Sequence, residues 1–409
     1  MKPTRREMLR GGLALVAAPG RPSAGPRRAD SFAEIDDRLA RGKSLTKADL
    51  VTPALLLDLD LFEANIARLA AHAKQHRIQL RPHGKTHKCV EIARRQLQAG
   101  AIGLSVATIR EAEAMAAAGI RGLLITSELV GRPKIARLLA LARRAPDTLT
   151  VVDDLSHAAQ LSEAAVAAKL QLNVMLDVDP AGRRTGVPAG APALALAEKL
   201  LQLPNLRLRG IHGYSGASAH VKTYDARRAH SHKVMTPILE TFAEMKKRGM
   251  PVEIMSGGST GTYNIDSELE GMTELQCGSY VFMDMEYRDI GGRDGAIYGD
   301  FAMALTVMGT VISKNYDDRA TVDAGIKAFA KDRKFDAEVK GVTGVSFMAG
   351  SDEHGTIVLA NPSRPIRLGD RIEFLVPHCD PNLNLYDRIF CVRGEKVVDV
   401  WRTIGRYGD

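Results

Sequence analysis

One lysine stands among turn-formers and imidazoles in the segment Arg81-Pro82-His83-Gly84-Lys85-Thr86-His87-Lys88. It follows the short apolar run Ile78-Gln79-Leu80. A lysine at the end of a buried strand is costly unless it sheds its charge or bonds covalently. The chemistry that needs such a lysine is an imine with a carbonyl cofactor, in practice pyridoxal phosphate. Taken alone, the segment also suits a solvated basic turn, so the reading depends on the rest of the chain.

Other segments supply what that cofactor would need. Ser256-Gly257-Gly258-Ser259-Thr260-Gly261-Thr262 follows the predicted strand Val252–Met255, and Cys277-Gly278-Ser279-Tyr280 ends the next one. Glycines let a backbone approach a phosphate closely, and amides and hydroxyls supply donors. Arg183-Arg184, after Asp177-Val178-Asp179, brings a guanidinium suited to a cofactor phenolate or a substrate carboxylate. Tyr214 lies on the same rim, and His220, six residues on, could carry a proton near a substrate hydroxyl. Near the C-terminus comes Pro377-His378-Cys379-Asp380-Pro381-Asn382. In extended chain His378 and Asp380 point to one side. Imidazole plus carboxylate suits Mn²⁺ or Zn²⁺, with water or substrate completing the shell. His72 and His76 are four apart on a predicted helix and read as surface groups.

The elements that must position these groups alternate. Short β-branched runs at Ala54–Asp58, Ile78–Arg81, Gly103–Val106, Leu123–Thr126, Leu149–Asp153, Leu172–Val178, Leu206–Gly213, Val252–Met255 and Leu275–Val281 predict strands. Between most of them lie amphipathic patterns such as Leu61–His76, Arg110–Ala118, Pro133–Arg144 and Ala193–Leu203. That order predicts a parallel (β/α)₈ barrel over residues 60–295, with Lys85 at the C-terminal end of its first strand. Nine strands compete for eight places, so Ala54–Asp58 is expected to pair outside the barrel. From about residue 296 to 409 the runs are short, β-prone and split by Gly, Asp or Pro, which predicts an antiparallel β domain joined by residues 31–59.

The chain of 409 residues is long enough for two domains, and 45% hydrophobic with 25% charged residues is the balance of a soluble globular protein. The net charge is +8, but no basic stripe interleaved with aromatics suggests nucleic-acid binding. Cys89, Cys277, Cys379 and Cys391 form no CxxC pair and no disulfide framework. Residues 1–30 read as a targeting segment: Thr4-Arg5-Arg6-Glu7-Met8-Leu9-Arg10, then an apolar run too short to span a bilayer. The expected location is periplasmic through a twin-arginine route, or cytoplasmic if the segment is not a working signal.

Together these segments resemble the D-threonine aldolase and D-serine dehydratase family over roughly residues 50–405. The resemblance implies a fold-type-III, alanine-racemase-like pyridoxal-phosphate barrel plus a C-terminal antiparallel β domain, and a homodimer. It implies Lys85 as the Schiff-base lysine, with Arg184 and Tyr214 at the cofactor ring. Thr108, Gly258, Ser259, Thr260, Gly278, Ser279 and Tyr280 would surround the rest of the cofactor, and His378 with Asp380 would hold Mn²⁺, Zn²⁺ or Mg²⁺. The dehydratase branch resembles His-x-Cys at the metal; here the third position is Asp380, closer to the aldolase branch. The implied reaction is cleavage of a D-β-hydroxy-α-amino acid to glycine and an aldehyde, with His220 or metal-bound hydroxide as base. Alternatives are β-elimination of D-serine or D-3-hydroxyaspartate, racemisation, and pyridoxal binding without turnover.

Overall fold

Asp58 starts the first long helix by accepting hydrogen bonds from the backbone amides of Asp60 and Leu61 at 3.1 and 3.2 Å. The helix Leu59–His76 then buries Phe62, Ile66, Leu69 and Ala73, a spacing that keeps one face apolar. It ends where Arg77 turns left-handed at φ 54°. In the computed structural model, residues 44–407 are described and, before them, only Ile35, Arg38 and Arg41. The export segment and the portion of the β domain assigned before residue 44 therefore lie outside the described residues.

Eight strands run parallel in the order Gln79–Leu80, Leu104–Val106, Leu123–Ile125, Leu149–Val152, Leu172–Asp179, Leu206–Gly213, Ile254–Gly257 and Glu274–Leu275, and the last pairs with the first. The remaining seam is closed by a parallel bridge between His83 and Ser105, with Ile102 N donating to Leu80 O at 2.9 Å and Ser105 N to Pro82 O at 2.8 Å. The result is a closed parallel barrel. Helices such as Ile109–Ala117, Arg132–Arg144 and Leu155–Ala168 pack outside it on a shared core of Leu, Ile, Val and Ala.

Arg81 shows how the barrel is tied. Its Nε and Nη2 meet Glu274 Oε1 and Oε2 at 2.8 and 2.9 Å, joining the first and last barrel strands, and its Nη1 donates to the Gly122 carbonyl. A Cβ on Gly103 would stand 2.7 Å from that Nη1, so glycine is needed for the guanidinium to pass. Both partners are buried, Arg81 at 5% and Glu274 at 2% exposure, which makes the pair a closure element and not a surface ornament.

The second sheet is mainly antiparallel. Ala54–Asp58 lies in it, antiparallel to Leu305–Tyr316 and parallel to Arg388–Arg393. One apolar cluster runs from Phe62 and Leu69 through Tyr280, Phe282 and Phe301 to Phe374 and Trp401. It ties the barrel wall to this sheet.

Two expectations are corrected here. The run Leu275–Val281 is not one strand: pairing stops at Leu275, and Ser279–Val281 forms a 3₁₀ turn. Its apolar residues are buried in the shared core, and a short buried run looks the same in sequence whether it is strand or turn. The segment after Pro377 is not extended. His378 has extended dihedrals, but Cys379–Asn384 is helical, with Pro381 in the first turn where its missing N–H costs nothing.

Replacing Arg81 by Met should leave Glu274 buried and uncompensated. We expect a loss of about 3–5 kcal/mol in urea unfolding; an unchanged midpoint would show that the pair does not tie the barrel.

Candidate active site at the barrel mouth

A cavity of about 420 Å³ opens at the C-terminal ends of the barrel strands. Lys85, Arg184, Tyr214, His220, His378 and Asp380 all face it. The lysine sits in the turn Gly84–Thr86, directly after the bridge that closes the barrel. Its amine is 3.5 Å from Asp380 Oδ2, with side-chain exposures of 42% and 17%. It is therefore reached from solvent, and its charge is matched by a partner instead of being buried alone. The Asp380 carboxylate holds the Lys85 amine above its usual pKa. Burial pushes the Asp380 carboxyl up, but the charges of Lys85 and His378 with the hydrogen bonds of Thr86 and Cys379 pull it down, and the net shift is downward.

Arg184 places its guanidinium 5.3 Å from the Tyr214 ring centre. Arg183 does not face the cavity. It turns left-handed at φ 53°, and its backbone N–H donates to Asp179 Oδ1 at 3.0 Å. Of the doubled arginines, Arg184 is the one at the site. His220 packs on Tyr287 with ring centres 4.6 Å apart, and its Nδ1 lies 3.8 Å from Glu286 Oε1. Burial lowers the His220 pKa against the opposing pull of Glu286, which favours the neutral ring.

Ser259, Thr260, Gly278 and Ser279 form another stretch of the cavity wall. Ser259 N donates to Thr262 Oγ1 at 3.2 Å, which fixes the loop. Ser279 Oγ donates to Asp380 Oδ1 at 3.4 Å, so this wall touches the acid. A Cβ on Gly278 would stand 2.5 Å from Thr86 Oγ1 and 3.2 Å from His83 O. Only glycine lets the two loops approach so closely.

Three of the expected cofactor residues do not line this cavity. Thr108 caps the helix Ile109–Ala117, its Oγ1 accepting from Glu111 N at 3.3 Å, and Ala107 takes its place on the wall. Gly258 forms the left-handed turn behind the loop at φ 74°. Tyr280 offers only its backbone, whose N–H donates to Thr260 Oγ1 at 3.0 Å; its ring points into the core beside Phe301, and its hydroxyl accepts from Gln96 Nε2 at 3.1 Å.

The cavity also has walls that residue types alone did not single out. His212 Nδ1 meets Asp177 Oδ1 at 2.5 Å, while its Nε2 has no partner among the described residues. Burial raises Glu128 to about 7. Glu128, Asp153 and Asp177 bring carboxylate oxygens within 4.8 Å of one another at the strand ends. Arg333 and Tyr287 complete the side near His378. The one available signal for His212 was its period-two position in Ile211-His212-Gly213-Tyr214; for Arg333, inside Lys331-Asp332-Arg333-Lys334, the sequence reads as a solvated charged turn.

The residues present fit pyridoxal phosphate: an amine reached from solvent, a Gly/Ser/Thr wall for an anion, and buried polar atoms without partners, among them Thr86 Oγ1, Gln276 Oε1 and His212 Nε2. His378 and Asp380 offer the imidazole and carboxylate chemistry of a divalent-cation site in the same cavity.

Comparison with known proteins agrees with this geometry. Residues 57–286 match the alanine racemase N-terminal domain model, and residues 304–392 match a serine dehydratase domain model. D-threonine aldolase of an Arthrobacter species is 37% identical over 366 residues, covering 89% of this chain and 94% of that protein. 3-hydroxy-D-aspartate aldolase of Paracoccus denitrificans (strain Pd 1222) is 33% identical over 365 residues, covering 88% and 94%. The crystal structure of D-threonine aldolase from Filomicrobium marinum superposes with a TM-score of 0.83 at 36% identity, covering 89% of this chain and 97% of that one. With an alanine-racemase-like barrel, a serine dehydratase domain and identity at this level along most of its length, the chain belongs to the family of D-threonine aldolase and 3-hydroxy-D-aspartate aldolase.

Proposed function

We propose that the protein is a carbon–carbon lyase that uses pyridoxal phosphate and a divalent metal to cleave D-β-hydroxy-α-amino acids of the D-threonine type to glycine and an aldehyde. The observation that carries this reading is the meeting of the Lys85 amine, the His378–Asp380 pair and His220 in one cavity, in a chain at least 33% identical to two aldolases of that class. The preference for D substrates follows the names of those relatives.

When bound, the cofactor supplies an electron sink for the α-carbon and the metal a Lewis acid for the β-hydroxyl. Lys85 holds the cofactor through its Nζ, and Asp380 is the carboxylate that faces that amine. Ser259, Thr260, Gly278 and Ser279 hold the phosphate. Arg184 and Tyr214 pack together and would hold the cofactor ring between the phosphate residues and Lys85. His378 and Asp380 hold the cation. His220 takes the β-hydroxyl proton on Nε2, since its Nδ1 is turned toward Glu286. Export by a twin-arginine route and a homodimeric state belong to the same reading, on the strength of the N-terminal motif and the family resemblance.

The decisive test is a panel of D- and L-β-hydroxy amino acids with Mn²⁺ present and after chelation, scoring every product. Glycine plus aldehyde from D substrates, lost on chelation and restored by Mn²⁺, is expected. Keto acid plus ammonia would instead favour elimination, in line with the dehydratase domain match. Lys85→Ala should lose the visible absorbance of lysine-linked pyridoxal phosphate; a mutant that keeps the band would sink the lysine assignment.

The pH dependence has a definite sign. A base must be neutral, so activity is lost as pH falls through the His220 pKa, which lies below the ordinary 6.5. Glu286 raises that pKa, so Glu286→Gln should move the acid limb of kcat/KM to still lower pH. An upward movement, or none, would count against His220 as the proton acceptor.

A further inference from the structure

We propose that Asp332 is the positioning residue of the metal centre: its carboxylate accepts a hydrogen bond from Nδ1–H of His378 and thereby leaves Nε2 for the cation. The proposal deepens the metal reading above and depends on it. A neutral imidazole has one donor nitrogen and one acceptor nitrogen, and a metal needs the acceptor. Which nitrogen is free is decided by what the other one bonds. Here His378 Nδ1 lies 2.7 Å from Asp332 Oδ2, so the carboxylate selects the tautomer with Nε2 unprotonated. A carboxylate behind the ring also makes the far nitrogen more electron-rich, which strengthens a bond to a cation.

Asp332 does not stand alone. Arg333 Nη1 donates to the same Oδ2 at 2.8 Å, and Arg333 Nη2 donates to Glu286 Oε2 at 2.6 Å. Glu286 Oε1 in turn faces His220 Nδ1 at 3.8 Å. One guanidinium thus spans two carboxylates, each facing a different imidazole of the cavity. The side chains of His378, Asp332 and Arg333 are 20%, 34% and 26% exposed, so the pair is not wholly screened by water and can hold an orientation. His378 begins the helix Cys379–Asn384 and has no capping hydrogen bond of its own, so this helix does not orient the ring. Asp332 comes from the loop between the turn Ile326–Ala328 and the strand Glu338–Val339. It is the carboxylate that does.

The test is Mn²⁺ binding to the pyridoxal-phosphate-loaded full chain, read from the electron paramagnetic resonance of free Mn²⁺. Asp332→Asn should weaken Mn²⁺ binding by roughly 10–100-fold, with the cofactor absorbance unchanged. Asp332→Glu, which keeps the carboxylate, should recover most of the affinity. On a His378→Ala background, Asp332→Asn should add nothing. Wild-type affinity in D332N, with affinity lost in H378A, overturns the proposal and leaves the metal reading standing. Equal weakness in D332N and D332E would trace the defect to the loop's folding and also overturn it. Full Mn²⁺ affinity in both H378A and Asp380→Ala would bring down the metal reading and the proposal together.

Discussion

The contact between Lys85 Nζ and Asp380 Oδ2, at 3.5 Å, is the constraint on which the site depends. The amine comes from the first turn of the barrel mouth and the acid from a helix inserted between the strands Arg371–Leu375 and Arg388–Arg393 of the second sheet. Two surfaces must therefore be locked together to within an ångström or so for the chemistry to have an address. The lock is the apolar cluster that runs without interruption from Phe62 and Leu69 to Phe374 and Trp401. Burying that surface supplies the driving force, and the charged pair contributes position more than stability.

The lysine segment divides its labour residue by residue. Arg81 faces inward and pairs with Glu274, so its charge serves closure. His83 makes the bridge to Ser105, and its Nε2 meets Thr126 Oγ1 at 3.1 Å. Burial first, and then the neighbouring Lys85, lower its pKa well below the ordinary range, which suits a ring that serves as a neutral hydrogen-bonding brace. Lys88, turned left-handed at φ 45°, pairs with Glu111, whose other oxygen accepts from Ala107 N at 2.7 Å. Lys85 alone is left with its amine toward the cavity. A basic-looking octapeptide is thus mostly structure wrapped around one reactive atom.

Around the cavity the charges are arranged to hold imidazoles. Asp177 stands behind His212, Asp332 behind His378 and Glu286 beside His220. Each of the three histidines faces the cavity with a carboxylate at its Nδ1 side. The pattern fixes ring orientation before any substrate arrives, which is how a site avoids reorganisation during reaction.

Much of this was legible in the sequence. The alternation of short β-branched runs with amphipathic stretches is set by periods of two and 3.6, which local chain geometry imposes whatever the partners. It placed the barrel strands, the helix Leu59–His76 and the shift to a β-rich C-terminal part. Lys85, Arg184, Tyr214, Ser259, Thr260 and the His378–Asp380 pair were singled out by residue type and their place at strand ends, and all face one cavity. What the sequence could not decide is which side chain of a run turns inward once partners arrive. Thr108 went to a helix cap, Tyr280 to the core, and Arg183 to a turn, because hydrogen-bond satisfaction and packing made those choices. Arg333 became a cavity wall, and Asp332 and Glu286 came to stand against His378 and His220, for the same reason: those distances exist only after the two sheets pack. Local periodicity is written in the chain, but a carboxylate's distance from an imidazole dozens or hundreds of residues away is fixed by tertiary contact alone.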